Sequence, residues 1–319
     1  MVARISVALL FALATPPEVV SGGGDRGGPP ASVELWGAAL AEQEAGCRGF
    51  ERSAARRIAR GRGASRSGGT AWETRYERCP FAPHVGTLAM IEVWARAETL
   101  PYGFEAAGLE EFEAARTSKR RRLLAWSVRV RGELARRGLP PIAEVFIISA
   151  GASLAVGEVA GARRALREGV GRGAVAAADA RWIEGASALV MLRHEAGLRA
   201  LGAAVTGADR HSSRAKTRAV YLHAVLLDRL GDRDGAAAAM RDALVADKDQ
   251  RALRGLVRAL PIHEALYARA LARQFSGRGE ALTLRLWAAY LSRPEPEAPE
   301  RALAQRHMDS LAPRPTYPR

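Results

Sequence analysis

The sequence predicts an all-α chain built as an array of antiparallel helix hairpins, an α-solenoid. Three observations predict it. Breakers recur at short intervals, at Pro80, Pro83, Pro101, Pro140, Pro141, Gly157, Gly171, Gly173, Gly207, Gly231, Pro261 and Gly277. They leave segments of roughly 12–20 residues, the length of helices in hairpin arrays. Alanine is abundant while aromatic residues make up only 6% of the chain, which favours closely packed helices over a core of bulky strand formers. Finally, two stretches whose turns lie 74 residues apart share one plan.

Taken in order, Met1 to Ser21 read as a signal peptide. Arg4 supplies the positive n-region and Ile5 to Ala14 the apolar h-region, with cleavage after either Ala14 or Ser21. The alternative is an ordinary apolar N-terminus. Residues 22–33, rich in Gly and Pro, then read as a flexible linker. Residues 34–292 form the helical repeat domain. Residues 293–319 follow as a Pro-rich segment, "RPEPEAPE", with a terminal helix that is either a lid on the array or a loosely attached tail. "VFIISA", Val145 to Ala150, could be a short buried strand. It continues into "GASLAVG" with small residues at helical spacing, so it is assigned to a helix.

The plan is clearest around Gly231. A first helix runs from Ser213 to Leu230 and a second to Val245. Gly231 can take the left-handed conformation that ends a helix, and Asp232 can cap the next one. Ala224 and Ala236 are small where the two helices approach, and Met240 supplies bulk. In the stretch from Ala143 to Val170 the same roles fall to Gly157, Glu158, Ala150, Ala162 and Leu166. Midway, near residue 194, lies a weaker unit with a polar break at Arg193-His194-Glu195. Self-similarity at about 37 residues is the mark of a helical array.

These residues resemble the tetratricopeptide repeat, whose hairpin carries small residues and a turn often written Gly-Asp at these positions. The likeness covers residues 143–170 and 217–247, with a degenerate copy at 80–116. It departs at His223, where the family prefers a bulky apolar residue, and at Lys248, where the family has proline. The resemblance implies a right-handed superhelix whose first helices line a groove that holds a peptide or partner helix. Trp182 and Tyr221 are the expected groove residues.

Cys47 and Cys79 are the chain's two cysteines. An exported chain permits a disulfide between them; otherwise they are small buried hydrophobes. They lack the paired spacing of a zinc site. The six histidines show no i, i+4 pair, no Gly-x-Ser-x-Gly elbow occurs, and no glycine loop ends in Gly-Lys-Ser/Thr. Glu110-Glu111 falls on a polar helix surface. No enzyme activity, cofactor or metal is expected.

The net charge of +14 is carried by arginine, since lysine occurs only at 119, 216 and 248. Two basic clusters stand out. Arg52, Arg56, Arg57 and Arg60 share a helix face, continued by Arg62 and Arg66 of the Gly61–Gly69 loop. A second cluster runs through Lys119, Arg120, Arg121, Arg122, Arg129 and Arg131. Either could meet an anionic surface; otherwise each is a solvated face. The expected function is a non-enzymatic protein–protein interaction scaffold in the periplasm or secreted, with a protein or peptide partner. An exported protein rarely meets nucleic acid; if the N-terminal residues are not a signal, the alternative is a cytoplasmic nucleic-acid-binding or signalling regulator with a helical-repeat sensor region.

Overall fold

A computed structural model describes the backbone of residues 31–60, 72–96, 108–206, 213–277 and 279–311, with side chains from Ala45 onward. The signal-peptide residues, most of the linker and the Gly61–Gly69 loop lie outside the described residues. The linker's last three residues do not: the first helix already includes Ala31 to Val33. After Pro29-Pro30 the sequence offers no further breaker until Gly37, and alanine, valine and glutamate support a helix.

Among the described residues the chain is all-helical, with fourteen helices and no strand. They are α1 (Ala31–Ala59), α2 (Trp72–Arg78), α3 (Pro83–Arg96), α4 (Leu109–Arg136), α5 (Ala143–Ala155), α6 (Val159–Gly171) and α7 (Ala177–Val190). There follow α8 (His194–Thr206), α9 (Ser213–Arg229), α10 (Arg233–Ala246), α11 (Arg251–Ala259), α12 (Ile262–Phe275), α13 (Glu280–Leu291) and α14 (Ala298–Leu311). "VFIISA" lies within α5. No described helix is long and apolar enough to cross a membrane. Residues up to Ala45 form one unit and residues from Gly46 a second, which holds everything below.

Helices pair as hairpins: α3 with α4, α5 with α6, α7 with α8, α9 with α10, and α12 with α13. Each second helix also packs on the next first helix, α4 on α5, α6 on α7, α8 on α9 and α10 on α12. This is the contact pattern of a helical repeat, in which a hairpin with two apolar faces is stable only when neighbours cover it.

The turns show how the pattern is written. Gly157 (φ +79°) and Gly231 (φ +87°) take the left-handed conformation. Behind them Glu158 N donates to Ser153 O at 2.8 Å, and Asp232 N to Leu227 O at 3.0 Å, which satisfies carbonyls that the helix end leaves open. Asp232 also caps α10, its Oδ1 accepting from Gly235 N at 2.9 Å; Glu158 makes no such bond. In the weaker unit the left-handed residue is Leu192 (φ +56°), and Arg193 N donates to Ala188 O at 2.8 Å.

The true turns are therefore spaced 35 and 39 residues apart rather than evenly. In that register Gly185, Gly197 and Leu201 fill the places of Ala150, Ala162 and Leu166. A Cβ on Gly185 would lie 2.7 Å from Leu201, and one on Gly197 2.7 Å from Leu226. The small residues are fixed by close approach, as in the two clear units. The α12–α13 hairpin follows the same contacts across a turn with Gly277 and Gly279 both left-handed. Its turn is one residue longer, which hid the match in sequence.

Candidate functional site

The expected groove would lie on the first helices, and there the chain places its own α11. Between α10 and α12 the chain turns back, and α11 packs on α5 and α9. Its sequence, RALRGLVRA, is apolar on one side: Ala252, Leu253, Leu256, Val257 and Ala259 are buried, while Arg251 is exposed. Asp247 starts the helix by accepting from Ala252 N at 3.1 Å and Leu253 N at 2.9 Å, the ordinary role of a carboxylate at a helix N-terminus. Gln250 stands before it in the left-handed region (φ +54°).

The far end of α11 is held by cations. Arg116 Nη2 donates to Val257 O at 2.7 Å and to Leu260 O at 2.8 Å, and Arg120 Nη2 to Arg258 O at 2.7 Å. A positive charge at a helix C-terminus complements both the open carbonyls and the dipole. Burial pushes both guanidinium groups below the usual arginine range. Glu113 works against this at Arg116, whereas Arg116 and Arg258 add to it at Arg120.

This arrangement corrects two expectations. Arg120 belongs to a cluster expected to meet an anionic surface or else to form a solvated face, yet it is 0% exposed and open to neither. Two of its neighbours are also spent on packing: Arg122 pairs with Glu73 and Arg131 with Glu168, each at 2.5 Å. Trp182 and Tyr221, the expected groove residues, are 1% and 0% exposed. Trp182 Nε1 donates to Asp179 at 3.2 Å and its ring lies under Arg218. The guanidinium of Arg218 in turn lies where a Cβ on Gly255 of α11 would be, 2.8 Å away. The Tyr221 hydroxyl is pushed up by burial and by the Asp247 carboxylate. Trp182 therefore lies under the Arg218 side chain that meets α11, and Tyr221 lies beside the Asp247 carboxylate that caps it.

A second charged cluster joins the end of α9 to α12, α13 and α14. Arg229 pairs with Glu264 at 3.0 Å and Glu300 at 2.7 Å, and donates to Tyr290 OH at 3.0 Å. Its guanidinium lies 3.8 Å from the centre of the Tyr267 ring. Burial alone would lower its pKa, but Glu264, Tyr267, Tyr290 and Glu300 outweigh burial and raise it. Next to it, Asp228 accepts from Tyr267 OH and faces His307 Nε2 at 3.0 Å. The His307 ring stacks on Trp287. Burial lowers His194, at the start of α8, and Arg229 adds to that effect while Glu264 opposes it.

A histidine–carboxylate pair can serve as a general base. Here Asp228, Tyr267 and His307 are all almost wholly enclosed by packed side chains. What the cluster does is bind α14. The loose-tail reading of the terminal helix is therefore replaced: Glu300, Ala304 and His307 form its buried face. Arg301 further donates to Leu291 O at 2.6 Å. Sequence reading missed this cluster. Its one signal was the adjacent charged pair Asp228-Arg229 at the end of a mostly apolar helix.

Cys47 and Cys79 are joined in a disulfide, with Cα atoms 5.6 Å apart. Nearby, Glu51 caps α3, accepting from His84 N at 3.1 Å and Val85 N at 3.2 Å. From the expected anion patch, Arg52, Arg56 and Arg60 are exposed and Arg57 is partly covered. Burial lowers His223, against a weaker effect of Asp232. Among the described residues no group of three or more His, Cys, Asp or Glu is placed to hold a metal ion. No family model, curated protein or solved structure matches this chain.

Proposed function

We propose that the chain is a non-enzymatic, tetratricopeptide-like scaffold of the bacterial cell envelope, which binds a protein or peptide partner on the outward faces of its helices. The observation that carries this reading is α11 seated on α5 and α9. Leu253, Leu256 and Val257 of α11 and Leu260 after it are buried. Full burial of such side chains is worth about 1.5–3 kcal/mol each. Lifting the helix off would thus cost about as much as a whole domain's stability, so a partner is not expected to displace it. The surface left for a partner is the exposed side of the hairpins.

Two further observations support the reading. The buried charges around Arg116, Arg120 and Arg229 are engaged in holding helices to one another, which suits a rigid support. A disulfide between α1 and the α2–α3 junction suits an oxidising compartment.

Cell fractionation with mass measurement of the mature N-terminus tests the location: the expected product has lost Met1 to Ala14 or to Ser21 and lies in the envelope. An intact Met1 in the cytosol overturns it. For the scaffold role, a photocrosslinking residue in place of Arg163 on α6 or Arg241 on α10, both exposed, is expected to capture one discrete partner in intact cells. Absence of any discrete adduct from the exposed helix faces refutes that role.

A further inference from the structure

We propose that the outward face of α1 docks on an anionic phospholipid surface through Arg52, Arg56 and Arg60. From Gly46 onward this helix has two unlike sides. At 100° per residue, Cys47, Phe50, Glu51, Ala54 and Ile58 cluster on one side. That side faces the protein: Ala54 is fully buried, Phe50 and Ile58 pack against the core, Cys47 is bonded to Cys79, and Glu51 caps α3. Arg52, Arg56 and Arg60 lie on the opposite side, all exposed.

The stretch from Gly46 to Arg60 contains a single carboxylate, Glu51, and it turns inward to His84 and Val85. No acidic residue stands three or four positions from Arg52, Arg56 or Arg60. Among the described residues none of the three forms an ion pair; Arg56 Nε donates only to Arg52 O at 3.3 Å. Like charges at i, i+4 destabilise an isolated helix. Some helix-surface arginines are offset by acids, as Arg136 is by Glu133 and Arg172 by Glu168. Arg52, Arg56 and Arg60 are not, a state they share with Arg163, Arg164 and Arg167 of α6.

Four residues rise about 6 Å along a helix and drift about 40° around it, so the three arginines form a shallow spiral row that rises about 12 Å along one face. The disulfide and the Glu51 cap hold that row at a fixed orientation. Planar guanidinium forks match phosphate oxygens. A leaflet presents phosphates as a continuous sheet, on which long arginine side chains along one helix face can each reach a phosphate. The face carries no aromatic side chain on which a base could stack, which disfavours single-stranded nucleic acid. The choice of lipid over nucleic acid rests on the export reading.

The test is co-sedimentation of the full oxidised chain with vesicles of phosphatidylglycerol and phosphatidylcholine, against phosphatidylcholine alone. Binding is expected only to the anionic vesicles and should weaken with salt. The triple variant Arg52→Gln, Arg56→Gln, Arg60→Gln should lose on the order of a hundredfold in partition coefficient. A matched variant, Arg163→Gln, Arg164→Gln, Arg167→Gln on the exposed side of α6, removes the same charge and should lose far less. Equal losses in the two variants, absence of binding to anionic vesicles, or stronger stripe-dependent binding to duplex DNA would each overturn the proposal. Circular dichroism of both variants secures the comparison, since all six positions are on the surface. A cytosolic, unprocessed chain removes the export reading and leaves the vesicle result standing, so the two can fail separately.

Discussion

The two ends of the hairpin series are tied down by different chemistry. At the N-terminal end α1 is held to the α2–α3 junction by a covalent bond, Cys47–Cys79, and by the Glu51 cap on α3. At the C-terminal end α14 is held through buried charges, Glu300 to Arg229 and His307 to Asp228. A terminal unit lacks a neighbour on one side, so its outer helix needs a stronger bond than apolar contact over one face supplies. The covalent tie is indifferent to pH and salt but yields to reductant. The ionic tie depends on every partner being present, because each charge has left water.

That contrast can be broken most severely at Arg229. Arg229→Met strands Glu264 and Glu300 in the interior, and a loss of about 3–5 kcal/mol is expected in urea unfolding. Retention of stability within about 1 kcal/mol would mean that the clasp is not holding α14. Reduction of the disulfide comes close behind. With 32 residues of separation, the chain-entropy estimate is about 3–4 kcal/mol. The comparison to make is urea unfolding with and without reductant. Loss should begin in α1 to α3 by hydrogen exchange, leaving α12 to α14 protected; in the Arg229 variant the order should reverse.

Between the ends, the interior joints should respond more weakly. Gly231→Ala forces a Cβ into the left-handed region and should cost about 1–2 kcal/mol. Leu192→Gly, at the equivalent joint, should stabilise by up to about 1 kcal/mol, reduced by glycine's greater freedom when unfolded. Thermal unfolding of the two variants should shift in opposite directions; shifts of the same sign would disprove the register assigned to the middle unit.

The smallest effect expected is a pH slope. Burial raises Glu300 despite Arg229 beside it. A carboxyl raised in the folded state binds its proton more readily there than when unfolded. Its contribution to stability is therefore greatest in acid and is lost as pH rises from the unfolded value through the raised folded one. Glu300→Gln, which keeps an oxygen facing Arg229, should flatten that slope in stability curves taken across the range. An unchanged slope would place its origin at other groups of the cluster.

Much of the fold was legible in local signals. Gly157 and Gly231 stand where a helix must end left-handed, and Ala150, Ala162, Ala224 and Ala236 stand where helices touch. These are effects within one hairpin, so adjacent residues carry them. The middle unit was harder because Leu192 occupies the left-handed position in a conformation its side chain disfavours, which neighbours impose. The candidate site was less legible. Arg120 lies in a run of basic residues that reads as solvated surface, and only contact with the end of α11, well over a hundred residues away, takes it inside. Trp182 and Tyr221 looked like groove residues because first helices in such arrays face an open surface.

By itself the sequence determined that this chain is helical, where its clearest hairpins turn, and which residues let their helices approach. Those properties follow from backbone conformation and from side-chain size at short range. Only the tertiary structure decided that α11 folds back over the first helices, that arginines close its far end, and that α14 is clasped by buried charge. Each depends on groups distant along the chain meeting in a low-dielectric interior, where a charge is tolerated only if partners arrive with it. Nothing in the local spacing of Arg116, Arg229, Glu264 or His307 announces those partners.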